Sequence, residues 1–317
     1  MFLIAGEALI DMVAAPDGTY RPVPGGAPFN FARALALQGI SAQYANPFSG
    51  DAFGMLLQRA LEDAGAEHPG AGSNRPTSLA LVSTDASGHP HYSFYREGVA
   101  DRDLDATALI DLDRPAVRGF HTGALALVPP DDQNVLAAAR HFRRRHVLCT
   151  LDVNMRPQVA ASQGIDAQRY REAALRMIAC ADIVKVSDED LQHLGSAEPP
   201  ETSARTLLEQ GPKLVVLTLG LSGACAISAE EQVFQPAQRV EIIDTVGAGD
   251  CFFAGFIASL DRQGLLEGVR DRAPSAAALK SALLHASVCA AINISRRGCQ
   301  PPTWDEAVRW VRERVSV

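Results

Sequence analysis

The 317-residue sequence contains no C-x-x-C pair, no H-x-x-x-H spacing among its eight histidines and no G-x-x-x-x-G-K-[ST] loop. The first two absences argue against a zinc site, and the third excludes a Walker-type nucleotide loop. No G-x-S-x-G elbow suggests a hydrolase. The six cysteines, at 149, 180, 225, 251, 289 and 299, are widely spaced and lie mostly in apolar runs. There a free thiol behaves as a small hydrophobe, so no disulfide framework is expected and a cytoplasmic location is. Positive charge is in deficit: 29 Lys and Arg face 37 Asp and Glu, a net charge of −8. Dedicated nucleic-acid and membrane-surface binders need clustered positive charge, so neither partner is expected. The basic cluster at 140–146 reads as cations at a helix C-terminus, where they suit the dipole. An acidic chain can still hold a small anion through a few local donors. The apolar run 251–260 is bounded by Asp250 and Asp261 and has about half the length of a membrane span. The opening residues have no basic start and carry Glu7 early, so they read as a buried strand rather than a signal peptide.

What is present is a regular alternation of short apolar runs and helical patterns. Helices are predicted over 28–38, with Pro28 in the first turn and Gly39 as its stop, and over 51–64, with Asp51 near its start. Later helices are predicted over 131–145, 166–180 and 202–210, interleaved with strands over 147–153, 183–186 and 213–219. This alternation implies right-handed βαβ crossovers and a mostly parallel sheet. Two alternating runs, 78–84 and 91–96, joined by the turn-rich 85–88, read as a β-hairpin. Lid segments at about 12–22 and 78–100 would then form a small sheet beside the main body, a lid or the surface of a homodimer. The last third reads as helices over 248–262, 275–294 and 303–314, which would cover the sheet. The expected fold is α/β: a doubly wound, mostly parallel sheet flanked by helices, with a small β-sheet lid, in one domain over 1–317.

The most informative segment begins at Val240. An apolar run, 240–244, reads as a strand and leads through Gly247-Ala248-Gly249-Asp250 into an apolar helix. First-turn amides of a helix lack intrahelical partners and sit at the positive end of its dipole. Glycines let an anion reach those amides, which makes an anion hole. Asp250 would face the same anion, which suits a base that orients and deprotonates an incoming hydroxyl. Taken alone, Gly-Ala-Gly-Asp also fits an N-cap after a flexible turn. The dinucleotide fingerprint is excluded because Phe252 stands where its third glycine would be.

The longer motif Asp244-Thr245-x-Gly247-Ala248-Gly249-Asp250 resembles the C-terminal signature of the ribokinase-type (phosphofructokinase-B family) carbohydrate kinases. Gly25-Gly26-Ala27-Pro28-Phe29-Asn30, with the helix to Gly39, resembles their N-terminal signature. The two stand in the expected order and separation. The Gly-Gly-Ala-Pro-x-Asn form and Tyr95-Arg96 are most like the fructokinase branch. The resemblance implies that Asp250 is the catalytic base and that Gly247, Ala248 and Gly249 supply the anion hole. It implies that Asp11, Gly26 and Asn30 bind sugar hydroxyls, and that Arg96 reaches from the lid toward the sugar or the transferred phosphate. Asp152-x-Asn154-x-Arg156 matches a family element in which Arg156 meets phosphate and Asp152 organises magnesium through water. Thr218, Gly220 and Gly223 match the nucleotide-phosphate loop. Lys185 and Asp190 fall by the family's N-x-x-E element, where Ser187 and the shorter Asp190 depart from the pattern and Glu189 is the substitute. Asn293 and Gly298 match a region bordering the adenine. Backbone oxygens of Asp244, Val246, Asn293 and Gly298 match a potassium site.

The sequence thus reads as an ATP- and Mg2+-dependent sugar kinase, with D-fructose the favoured acceptor. Alternatives are the same chemistry on ribose, 2-keto-3-deoxygluconate or a nucleoside. A non-catalytic sugar or nucleotide sensor on this scaffold is disfavoured by the intact Asp250 and anion hole.

Overall fold

The computed structural model describes residues 1–15, 17–84 and 90–315. Its main sheet has eight strands, in spatial order Gln232–Pro236, Gly223–Ile227, Leu214–Thr218, Ile183–Ser187, Leu148–Asp152, Gly119–Gly123, Phe2–Ile4 and Ala42–Tyr44. The last six run parallel to one another, and the first two form an antiparallel edge. Helices cover both faces, so the central strands are buried along nearly their whole length. On one face Phe142, Tyr170 and Met177 pack on Phe120, Leu151 and Val184. On the other, Phe31, Phe253 and Phe256 pack with Phe2, Ile4 and Val216. The doubly wound α/β expectation therefore holds.

Helix starts follow their caps. Asp51 accepts the Gly54 N–H (2.7 Å) ahead of Ala52–Asp63, Asp166 caps Ala167–Ile178, and Ser275 caps Ala276–Ile294. Ala276–Ile294 is by length and composition apolar enough to cross a membrane, but it lies largely buried against Ala248–Arg262. All six cysteines are unpaired and buried.

The small sheet has four strands, in order Tyr20–Gly25, Leu9–Ala14, Ser78–Thr84 and Pro90–Tyr95. The middle two are parallel and the outer pairs antiparallel. The lid is larger than predicted, beginning at Leu9 and reaching Gly25. The predicted turn at 85–88 lies outside the described residues. One expectation is corrected. Residues 240–244 form no strand: Ile242 and Ile243 are half-exposed instead of sheet-bound, and Ile242 lines a cleft. Ile243 N–H donates to the Ile294 carbonyl (2.8 Å), which ties this segment to a helix end.

Candidate active site

The parallel strands end together, and open α/β sheets place ligands beyond such ends. A cavity of about 670 Å3 lies there, with Leu9, Asp11 and Phe94 of the small sheet on its wall. Asn30, Arg156, Lys185 and Asp250 face it from the main body. A second cleft, of about 420 Å3 and mostly apolar, is lined by Thr218, Gly220, Gly223, Ile242, Phe252 and Ile294 among others. The two share Glu189, Thr245, Ala248 and Gly249, so they meet at the opening of the helix Ala248–Arg262.

That opening is built for close approach. Gly247 is left-handed (φ 73°), and a Cβ there would lie 2.3 Å from Cys299 Sγ. No side chain caps the helix. The Ala248 N–H, one of the expected anion-hole donors, is already given to the Thr245 carbonyl (3.2 Å). The amides of Gly249 and Asp250 are the first-turn donors left for an anion. The Lys185 ammonium stands beside them, 3.1 Å from where a Cβ on Gly249 would lie.

Asp250 begins the same helix and is buried. Its Oδ2 accepts from Asn30 Nδ2 (3.0 Å), while Asn30 Oδ1 is buried with no partner among the described residues. Burial foremost, then the charge of Asp152, pushes the Asp250 carboxyl up to about 7. Burial and the Asp244 charge likewise raise Asp11 to about 7. A general base of this strength suits proton acceptance near neutral pH. Gly26 lines the same cavity: its φ is 106°, and a Cβ would lie 2.4 Å from the Glu7 carbonyl oxygen.

Glu7 is a site residue that the sequence reading used only as a break in an apolar run. It is buried in the cavity wall, its Oε1 accepts the Ala27 N–H (3.1 Å), and burial raises it to about 7. Its position just past the first strand was the available signal.

The carboxylates expected near magnesium sit differently from one another. Asp152 accepts from Lys185 Nζ through both oxygens (2.8 and 3.0 Å). Burial favours loss of the Lys185 proton, but Asp152 foremost, with Asp190 and Asp250, outweighs it and holds the ammonium above its ordinary value. Asp190 accepts from the amides of Met155 (2.7 Å) and Ser187 (2.9 Å) and from Ser187 Oγ (2.8 Å), completing a capping box. Neither aspartate forms the cavity wall, whereas Glu189 is exposed and borders both cavities. Glu189, which also lies 3.6 Å from His193 Nε2, and not Asp190, thus borders the junction of the two cavities. Among the described residues no group of three His, Cys, Asp or Glu gathers to hold a metal.

Thr218, Gly220 and Gly223 lie together on the second cleft. Asp244, Val246, Asn293 and Gly298 also converge, although distant in sequence. Asp244 accepts from the amides of Val246 (3.0 Å) and Gly298 (2.8 Å), and Asn293 Nδ2 donates to the Val246 carbonyl (2.8 Å). These bonds brace the Gly-rich turn from behind.

The expectation for Arg96 is corrected. It is buried and donates from Nη2 to Asp101 Oδ2 (3.0 Å), away from the main cavity. Its position after a lid strand gave the right neighbourhood and the wrong direction.

Comparison with known proteins accords with this geometry. The family model for pfkB family carbohydrate kinases matches residues 2–306. A fructokinase from Rhizobium leguminosarum bv. trifolii is 35% identical over 271 residues, covering 84% of this chain and 81% of that protein. A probable chloroplastic fructokinase-6 from Arabidopsis thaliana is 30% identical, covering 93% and 78%. Among solved structures, a fructokinase with bound ATP from Xylella fastidiosa superposes with a TM-score of 0.87 at 25% identity, covering 99% of this chain and 98% of that one.

Proposed function

The chain belongs to the pfkB family of carbohydrate kinases, and we propose that within it this protein is an ATP-dependent fructokinase. The observation that carries the reading is one helix opening shared by two cavities. A polar cavity beside Asp250 suits a sugar, and an apolar cleft beside Thr218 and Phe252 suits a nucleotide base. The fructose assignment is supported by the 35% identity to a curated fructokinase.

The residues fit such ligands. Asn30 Oδ1 and the carboxylates of Asp11 and Asp250 offer acceptors to sugar hydroxyls. The first-turn amides, Lys185 and Arg156 would take phosphate oxygens, and Glu189 would hold a magnesium ion that needs only one or two protein carboxylates when it arrives with phosphates. Bound ATP supplies the phosphoryl group and Mg2+ offsets its charge. Asp250 orients the acceptor hydroxyl and takes its proton as the phosphoryl group transfers, since a carboxylate is too weak to remove it earlier. Asp244, Val246, Asn293 and Gly298, which converge behind the turn, are where a potassium ion would be held.

A coupled ADP-release assay over ketoses, aldoses, 2-keto-3-deoxygluconate and nucleosides, with and without Mg2+ and K+, tests the reading. Fructose should give a kcat/KM above ribose by about tenfold or more, the scale set by one or two hydroxyl contacts. A clear preference for another acceptor refutes fructokinase but not kinase; no Mg2+-dependent turnover refutes both.

A further inference from the structure

Behind the sugar side of the main cavity lies a chamber of about 30 Å3, room for one or two water molecules. Glu7 forms part of both walls. Its Oε1 holds the Ala27 N–H at the opening of the helix Ala27–Leu37, where Gly26 has no side chain to cap with. Its Oε2 is buried with no partner among the described residues. Across the chamber Arg96 is tied to Asp101 through Nη2, while its Nε and Nη1 are buried and likewise unpartnered. One acceptor and two donors, all buried, therefore line a space of water size. Buried polar atoms are seldom left unpaired, and an internal water takes two to four such partners.

We propose that water in this chamber bridges Arg96 to Glu7, and that the two form a positioning pair for the sugar side of the site. The inference rests on the reading of the main cavity as a sugar kinase site. Glu7 grips the Ala27 amide and so places Gly26 and Asn30, the latter being the donor to Asp250. Burial still carries the Glu7 carboxyl up to about 7, and Arg96 opposes that shift and keeps the group in place. Arg96 follows the lid strand Pro90–Tyr95, and Asp101 is held by Ser78 Oγ (2.5 Å) from the lid strand Ser78–Thr84. The pair thus links the seating of the small sheet to the helix that carries Asn30.

The other groups around Glu7 do not supply what Arg96 does. Asp101 and Tyr44 are not cations, and Arg102 is paired with Asp131 (2.7 Å). Among the charges acting on Glu7, Arg96 is the foremost one favouring the carboxylate form.

The test is a double-mutant cycle of Glu7→Gln and Arg96→Met, run with ATP and whichever sugar the unaltered protein phosphorylates best. Each single change should raise the sugar KM about tenfold and leave the ATP KM within about twofold, because the nucleotide cleft shares neither residue. Arg96→Met made on top of Glu7→Gln should add less than about twofold. Effects that multiply, or equal rises in both KM values, overturn the pairing. Arg96→Lys restores charge and a donor and should recover part of the loss, which separates positioning from failure to fold. A readout without turnover is the titration of 13C-labelled glutamate side chains. The Glu7 signal should titrate about one pH unit or more higher in Arg96→Met, and an unmoved signal overturns the proposal. If no sugar is phosphorylated by the unaltered protein, the kinase reading fails while the titration still decides whether Arg96 governs Glu7.

Discussion

Replacing Asp250 with asparagine separates the base role proposed for this carboxylate from the burial that it endures in the structure. Asn keeps the shape and an oxygen to accept from Asn30 Nδ2, now at 3.0 Å, so sugar and ATP binding should change by less than about threefold. The lost base should lower kcat by about 10²–10⁴, the range that a positioned general base contributes. Stability should move the other way. The folded value of about 7 lies above the ordinary 3.8, because burial disfavours the charged form. A group shifted upward contributes stability that is complete below about pH 4 and is lost as pH rises through about 7. At pH 8 the carboxylate is therefore a liability, with a ceiling of about 4 kcal/mol by linkage. The value of about 7 already includes the opposing charges of Lys185 and Arg156; a buried Asn carries a burial cost of its own, so a Tm gain of a few degrees is expected at pH 8 and little gain at pH 4. The assays are kcat at saturating sugar from about pH 5.5 to 9, spanning about 7, and thermal melts from about pH 4 to 9. In the unaltered protein kcat should fall as pH drops through about 7, and the variant's residual rate should lack that limb. Near-normal kcat in Asp250→Asn, or a lowered Tm at pH 8, would refute the reasoning.

Further changes probe the surroundings of that base. Gly247→Ala puts a Cβ 2.3 Å from Cys299 Sγ at a left-handed position; it should destabilise by about 1–3 kcal/mol and cut kcat/KM for ATP, measured by melts and steady-state kinetics. Lys185→Met leaves Asp152 buried without its cation and should cost about 3–5 kcal/mol in urea unfolding at pH 8, with partial recovery in Lys185→Met/Asp152→Asn. Glu189→Gln should raise the Mg2+ concentration needed for half-maximal rate by about tenfold, whereas an equal effect from Asp190→Asn at unchanged Tm would mean that the wrong carboxylate has been chosen.

The parts of the fold legible in the sequence are those whose signal is local. Helix caps such as Asp51, Asp166 and Ser275 announce themselves because a side chain two or three residues away satisfies the first-turn amides. The strand Gly119–Gly123 has no such signal. It is wholly buried, yet its sequence is GFHTG, and its first glycine is required by the Phe2 ring packed against it. Its strand character comes from neighbours far away in sequence. The run 240–244 errs in the opposite sense: apolar content suggested a strand, but both isoleucines are half-exposed and Ile242 lines a cleft. Hydrophobicity reports burial against something, and here that something is suited to a ligand rather than a second strand.

The same distinction governs the site. The Gly-rich turn and Asp250 were readable because amides at a helix opening, and a carboxylate on its first turn, are placed by the backbone alone. Arg96, Asp190 and Glu189 were placed only to a neighbourhood, because their direction depends on competition for partners. Asp190 sits three residues after Ser187, the spacing that closes a capping box, so its oxygens are drawn onto amides and away from the cavity. Glu189, one residue earlier, falls outside that spacing; it keeps a looser contact, 3.6 Å from His193 Nε2, and borders both cavities. Arg96 was likewise drawn inward by Asp101. A polar residue near a site thus reaches a ligand only when no local partner claims it first, and the hydrogen bonds of its own segment are where that is decided.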